Sequence, residues 1–161
     1  MNAARAQLIA DEVTAFSAAG EDLEVVVAHS TDTEIRVFEG EVESLVASST
    51  AGVGIKVVSN GRVGFAHCAS LDRADIMATL DAARDNARYS SPDEHAGIVV
   101  FDGVEPTLDT GSVSDFSSVS IETKIGLATE LERIAQARDQ RITTESCDYS
   151  DSFVVSAIAS T

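Results

Sequence analysis

At 161 residues the chain has the length of one domain, able to bury roughly 70% of the surface its unfolded form exposes. It carries 27 acidic against 11 basic residues, a net charge of −16, and its aromatic residues are six Phe and two Tyr, with no Trp. That balance argues against phosphate-backbone recognition of DNA or RNA and against anionic membranes, both of which need clustered Lys and Arg. The scarcity of aromatics also implies an aliphatic core built from Ala, Val and Ile.

In chain order, residues 3–18 read as an amphipathic helix with Leu8, Ile9, Val13 and Phe16 on one face, and Gly20 sits where a helix C-terminal glycine is wanted. The stretch lacks an unbroken apolar run, so it is neither a signal peptide nor a membrane span. Residues 23–28 (LEVVVA) form a β-branched strand, and residues 29–32 read as a turn. Four extended segments follow at 35–38, 42–48, 53–59 and 62–67. They are separated by Glu39-Gly40, a Ser/Thr/Gly cluster at 49–52, and Asn60-Gly61. Asn-Gly between apolar runs is a strong hairpin signal, because both central residues of a type I′ turn need positive φ. Gly52, Gly54 and Gly64 lie in or beside strands, where glycine marks a bulge, a sharp bend or a close backbone approach.

A second helix is expected over 72–89, capped by Ser70 or Asp72, with Ile76, Leu80, Ala83 and Ala87 as its stripe. It ends at Tyr89, where Ser-Ser-Pro92 follows. Residues 93–118 shift to Gly, Pro, Asp and Ser and read as an irregular surface excursion, strand-like only at 98–101. A third helix spans 120–139, with Ser120 as N-cap. Its expected buried stripe is Ile121, Ile125, Ala128, Leu131, Ile134 and Ala135, with Glu130/Arg133 and Glu132/Gln136 as solvated pairs. Two last strands, 141–147 and 152–159, are joined by a turn at 148–151. The chain then ends where a partner strand is expected, which reads as the boundary of a fragment. The fold class is α+β, an antiparallel meander sheet with about three helices packed on it.

Little of this is arranged for chemistry. His67 and Cys68 are adjacent, but strand neighbours point to opposite faces, so they neither share a metal nor pair as nucleophile and base. His29, His67 and His95 fall in separate elements. Cys68 and Cys147 read as free core thiols rather than a secreted framework, a single disulfide being the alternative. No catalytic or metal-binding residue is assigned. Glu41 and Glu43, on one face of a strand, are candidate peptide-groove carboxylates, against the plainer reading that they keep an edge soluble.

Several stretches together resemble the N-terminal part of the TldD/PmbA family, once called modulators of DNA gyrase and regarded as metallopeptidases. They are residues 39–44 (EGEVES), 51–57 (AGVGIKV), 60–66 (NGRVGFA), 82–93 (AARDNARYSSPD), Ala96-Gly97 and 141–144 (RITT), in that order. The family positions are Gly40, Gly52, Gly54, Gly61, Gly64, Tyr89 and Pro92, and the Ala-Arg-Tyr-Ser-Ser-Pro-Asp run leans toward the PmbA (TldE) branch. The resemblance implies the N-terminal domain of a cytoplasmic two-domain protein that pairs with a TldD-type subunit as a heterodimer, or forms a homodimer. It implies proteolysis of unfolded or flexible peptides. A zinc-type site would lie on a His-Glu-x-x-x-His helix in the C-terminal domain of the TldD-type subunit, with no cofactor in these residues. On that reading this chain contributes subunit pairing and a peptide channel. The alternative is a non-catalytic interaction domain that binds extended segments by strand addition.

Overall fold

The period-two pattern of the first strand decides most of the architecture. In the computed structural model, which describes residues 1–99 and 118–161, the order is α1 (Ala3–Thr14), β1 (Glu21–Phe38), β2 (Glu41–Ser59), β3 (Arg62–Cys68), α2 (Arg73–Tyr89), α3 (Ile121–Arg138) and β4 (Cys147–Ser160). The strands form a sheet in the order β3-β2-β1-β4. The expected α+β class, with three helices and an antiparallel sheet, holds.

The strands are fewer and longer than expected. Residues 29–32 are not a turn: the odd-numbered positions 23, 25, 27, 33, 35 and 37 of β1 are all buried, so one pleat runs through without a change of phase. The Ser/Thr/Gly cluster at 49–52 is likewise strand. Positive φ, which a two-residue reversal requires, occurs at Glu39 (52°), Gly40 (79°), Asn60 (52°) and Gly61 (70°), and at neither Gly52 nor Gly54. Both reversals are therefore two-residue turns of the expected kind, and the meander has three strands where four segments were read. Residues 148–151 are also strand, because Asp148 and Asp151 are taken up by neighbouring cations rather than by turn amides. Residues 141–146, read as strand, are irregular, opening on a turn in which Ile142 N donates to Asp139 O.

The described residues fall into two compact units. The first comprises residues 1–29, 50–99 and 154–161. Its core is aliphatic, as composition required: Leu23, Val25, Val27, Val53, Ile55, Val57, Ile76 and Leu80 are all buried. β2 and β3 pair antiparallel from Val53↔Cys68 to Ser59↔Arg62. α2 buries the stripe expected of it, with Thr79 added, and packs directly on β3. A Cβ on Gly64 would lie 2.0 Å from Ala83 O and 2.3 Å from Ala87 N, so the glycine lets helix and strand backbones meet. On Gly52 a Cβ would lie 2.7 Å from Cys68 O, and on Gly54 it would touch the Phe65 ring at 3.4 Å. Close backbone approach, not a bulge or bend, is the reason for Gly52 and Gly64, while at Gly54 an added Cβ would make only ordinary contact.

α1 is shorter than expected. It ends at Thr14, and Gly20 (φ 78°) instead serves the turn in which Glu21 N donates to Ala18 O at 3.1 Å. Its buried face is Ala6, Ile9, Ala10 and Val13, leaving Leu8 and Phe16 outside, where Arg73 stacks 5.5 Å from the Phe16 ring. Small alanines permit the close packing that the larger residues would have blocked. At the end of β4, Thr161 N donates to Leu23 O and Leu23 N to Thr161 Oγ1, both at 3.1 Å. After α2, Asp93 N donates to Gly61 O at 2.7 Å and Lys56 Nζ to Gly97 O at 3.0 Å. Residues 98–99 are not strand, and residues 100–117 of the segment read as a surface excursion lie outside the described residues.

The second unit comprises residues 30–49 and 118–153. Its apolar core is small: Ile35, Val37 and Ala128, with Ile125 and Tyr149 packed beside them.

Candidate functional site

The second unit buries charge where its sequence offered hydrocarbon. Ser120 caps α3, accepting from Thr123 N at 3.2 Å, as expected. The face α3 turns inward is Lys124, Ala128 and Glu132, spaced four apart; of the expected stripe Ala128 is buried and Ile125 packs on the core, while Leu131 and Ile134 are exposed. Lys124 Nζ lies 2.8 Å from Asp151 Oδ2 and 3.3 Å from Thr33 Oγ1. The first is an ion pair by distance, without the alignment of a hydrogen bond at that oxygen. Burial pushes the Asp151 carboxyl up, but the Lys124 ammonium beside it, with the Tyr149 hydroxyl, outweighs this and holds the group below its ordinary value.

Glu132, read as solvated, is buried instead. Its carboxylate accepts from the Glu39 and Gly40 amides of the β1–β2 turn, at 3.0 and 2.7 Å, and from the Thr144 hydroxyl at 2.8 Å. Gln136 Nε2 donates to Thr144 Oγ1 at 2.8 Å, so the second expected solvated pair is a relay onto this turn. Thr144 foremost, with the Gly40 amide, holds the Glu132 carboxyl below the usual range. The expected Glu130–Arg133 pair is present on the exposed side at 2.6 Å.

With charge turned inward, the hydrophobic side of α3 turns outward. Leu127, Leu131 and Ile134 are 56%, 54% and 42% exposed, and i, i+4, i+7 spacing places them in one row. Leu131 and Ile134 were expected in the core. An apolar row on a surface this acidic is the kind of feature that marks an interaction site.

The second feature is the outer edge of β2. The ladder to β3 stops at Val53, so among the described residues the β2 backbone before it has β1 on one side and no strand on the other. Residues 41–50 are all exposed, including Val42, Leu45 and Val46. Glu41 and Glu43 stand two apart at the start of this edge, both exposed. Arg36 is held charged chiefly by Asp148 at 2.9 Å, with Glu43 adding a smaller attraction. Behind the edge, a groove of about 260 Å³ runs from Ser44 and Val46 past Glu34 and Arg36 to Asp148 and Ser150.

Gly40 and Gly61 make the two tight turns, Tyr89 ends α2 with its side chain in solvent, and Pro92 follows the helix stop. His67 stacks on Phe65 with ring centroids 6.0 Å apart, while the Cys68 thiol turns to Ser70 O. Both cysteines are free, and burial raises the Cys147 thiol. Among the described residues no three His, Cys, Asp or Glu side chains come together to hold a metal ion, so these residues do not fit one. Among the described residues no helix is long and apolar enough to cross a membrane.

The comparisons with known proteins agree with one another. Residues 23–87 match the family profile described as PmbA/TldA metallopeptidase domain 1. Metalloprotease PmbA of Escherichia coli O157:H7 is 36% identical over 125 residues, which cover 74% of this chain and 27% of that protein. The PmbA homologue of Haemophilus influenzae is 26% identical over 141 residues, covering 84% of this chain and 30% of that protein. TldE from Thermococcus kodakarensis superposes with a TM-score of 0.80 at 18% identity, over 95% of this chain and 35% of the other. A candidate DNA gyrase modulator from Bacteroides thetaiotaomicron gives 0.76 at 21%, over 96% and 35%. At those identities the structural likeness is one of fold. The chain spans about three tenths of the length of the curated relatives it matches.

Proposed function

We propose a function from one premise: this chain belongs to the PmbA/TldD metallopeptidase family and carries its first domain. It acts as the N-terminal domain of a PmbA-like subunit in a cytoplasmic metallopeptidase complex, pairing with a TldD-type subunit or a second copy and forming one wall of the path taken by a flexible peptide. The metal chemistry falls to residues outside those described. The observation that carries the pairing role is the outward row Leu127, Leu131 and Ile134, an apolar strip that a subunit contact would take out of water.

A second reading is favoured by the open β2 edge, namely capture of an extended segment by strand addition. Backbone pairing would give sequence tolerance, and Glu41 and Glu43 would favour basic segments. One experiment separates the two. The double variant Leu127→Glu/Leu131→Glu is expected to weaken association with a TldD-type subunit at least tenfold in sedimentation velocity, with its melting temperature unchanged because both residues are exposed. Undiminished association in that variant sinks the pairing reading. Loss of basic-peptide binding in Glu41→Lys/Glu43→Lys, with association intact, selects the strand-addition reading.

A further inference from the structure

A concavity in the first unit gathers positive charge in a chain of net charge −16. It has a volume of about 280 Å³ and takes in Arg62, Arg84, Arg88, Asn60, Ser59 and Glu21. Arg84 and Arg88 are four apart on α2, so they share a helix face, where like charges repel by tenths of a kcal/mol. Arg62 is brought to them by the Asn60-Gly61 turn, which starts β3 at this point.

The three guanidinium groups are not equally satisfied. Arg84 is pinned: its Nε lies 3.1 Å from both oxygens of Glu21, whose side chain is only 9% exposed, and its Nη2 donates to Phe16 O at 2.8 Å. Asp81 and Asp85 lie on the same helix, Asp81 3.5 Å from Arg84 and Asp85 2.7 Å from Arg88 in an exposed pair. Exposed pairs of that kind stabilise little. Arg62 has no carboxylate partner among the described residues and donates from Nη1 to Ser90 O at the end of α2. That contact uses one Arg62 N–H and Arg88 is largely exposed, so among the described residues both keep donors for another group beside the Asn60 amide.

We propose that this concavity is a binding site for a small oxyanion, a phosphate or a carboxylate, held between Arg62 and Arg88 with Arg84 fixed behind them. Guanidinium groups match the paired oxygens of either anion, and charge-assisted hydrogen bonds of this type are about twice as strong as neutral ones. The proposal is independent of the peptidase reading.

Isothermal titration of the chain with inorganic phosphate at low ionic strength tests it, with acetate in a parallel titration and potassium chloride at matched ionic strength as reference. Saturable binding of phosphate or acetate, absent with chloride, is expected. Phosphate alone identifies a tetrahedral ligand; acetate binding as well identifies carboxylate recognition. Arg62→Gln and Arg88→Gln should each weaken binding about tenfold, the loss of one charge-assisted contact, while Arg141→Gln, in the second unit, leaves it unchanged. Heats indistinguishable from chloride overturn the site, as does full affinity in either variant. Arg88 is 73% exposed and its replacement leaves packing intact, so Arg88→Gln decides the matter alone should Arg62→Gln unfold.

Discussion

Glu132 is the clearest case of a single residue whose role its neighbours in sequence conceal. On α3 it sits beside Arg133 and four before Gln136, the pattern of a solvated face, yet its carboxylate accepts two amides of a turn more than ninety positions earlier. Those amides belong to Glu39 and Gly40, which point away from their own strand ladder because both have positive φ. The hydrogen bonds favour the ionised form, so the folded-state pKa lies below the ordinary value near 4.5. A depressed carboxyl contributes stability that is fully present above that ordinary value and lost as pH falls through the folded one. Glu132→Gln should therefore lower the urea midpoint at pH 7, and the gap to the wild type should close as pH drops below about 4.5. A gap that stays constant across that range would show that the turn clamp does not depend on the charge.

At the scale of elements, the contact between α2 and β3 depends on one missing methyl group. Ala83, Ala87 and Gly64 are all small, so helix and strand backbones can come together. Gly64→Ala forces the two apart and should cost about 3 kcal/mol, read as a lower melting temperature. Gly97→Ala, where an added Cβ meets nothing within 4 Å, should leave melting unchanged. Equal melting of the two variants would contradict the close approach. α2 itself was readable from sequence, because its apolar stripe faces the aliphatic core of its own unit. α3 was readable as a helix, with its cap and length, but its inward face was not. Lys124 and Glu132 are buried only because Asp151, Thr33, Thr144 and two turn amides receive them, and those partners are remote in sequence. Periodicity ranks residues by hydrophobicity and carries no information about a distant counter-charge.

For the molecule as a whole, the two units differ in what holds them. The first rests on a continuous set of buried Val, Leu, Ile and Ala side chains, each large one stabilising by about 1.5–3 kcal/mol relative to exposure. Among its described residues the second has four buried apolar side chains, Ile35, Val37, Ala128 and Cys147, and leans on ion pairs and hydrogen bonds. Local opening should therefore be easier in the second. Amide hydrogen exchange is expected to be slower in α2 and residues 23–27 than in α3 and residues 33–37; uniform protection would refute that division. The sequence by itself determined the α+β class, the three helices, the type I′ turn at Asn60-Gly61, the break at Glu39-Gly40 and the aliphatic core, since each follows from local spacing or from φ preferences that a few residues express alone. The tertiary structure decided the continuous length of β1, β2 and β4, the inward turn of Lys124 and Glu132, the outward row of leucines, and the meeting of three arginines at a hairpin tip. Each of these depends on groups far apart in the chain, whose burial or charge is settled only when the backbone brings them within a few ångströms of one another.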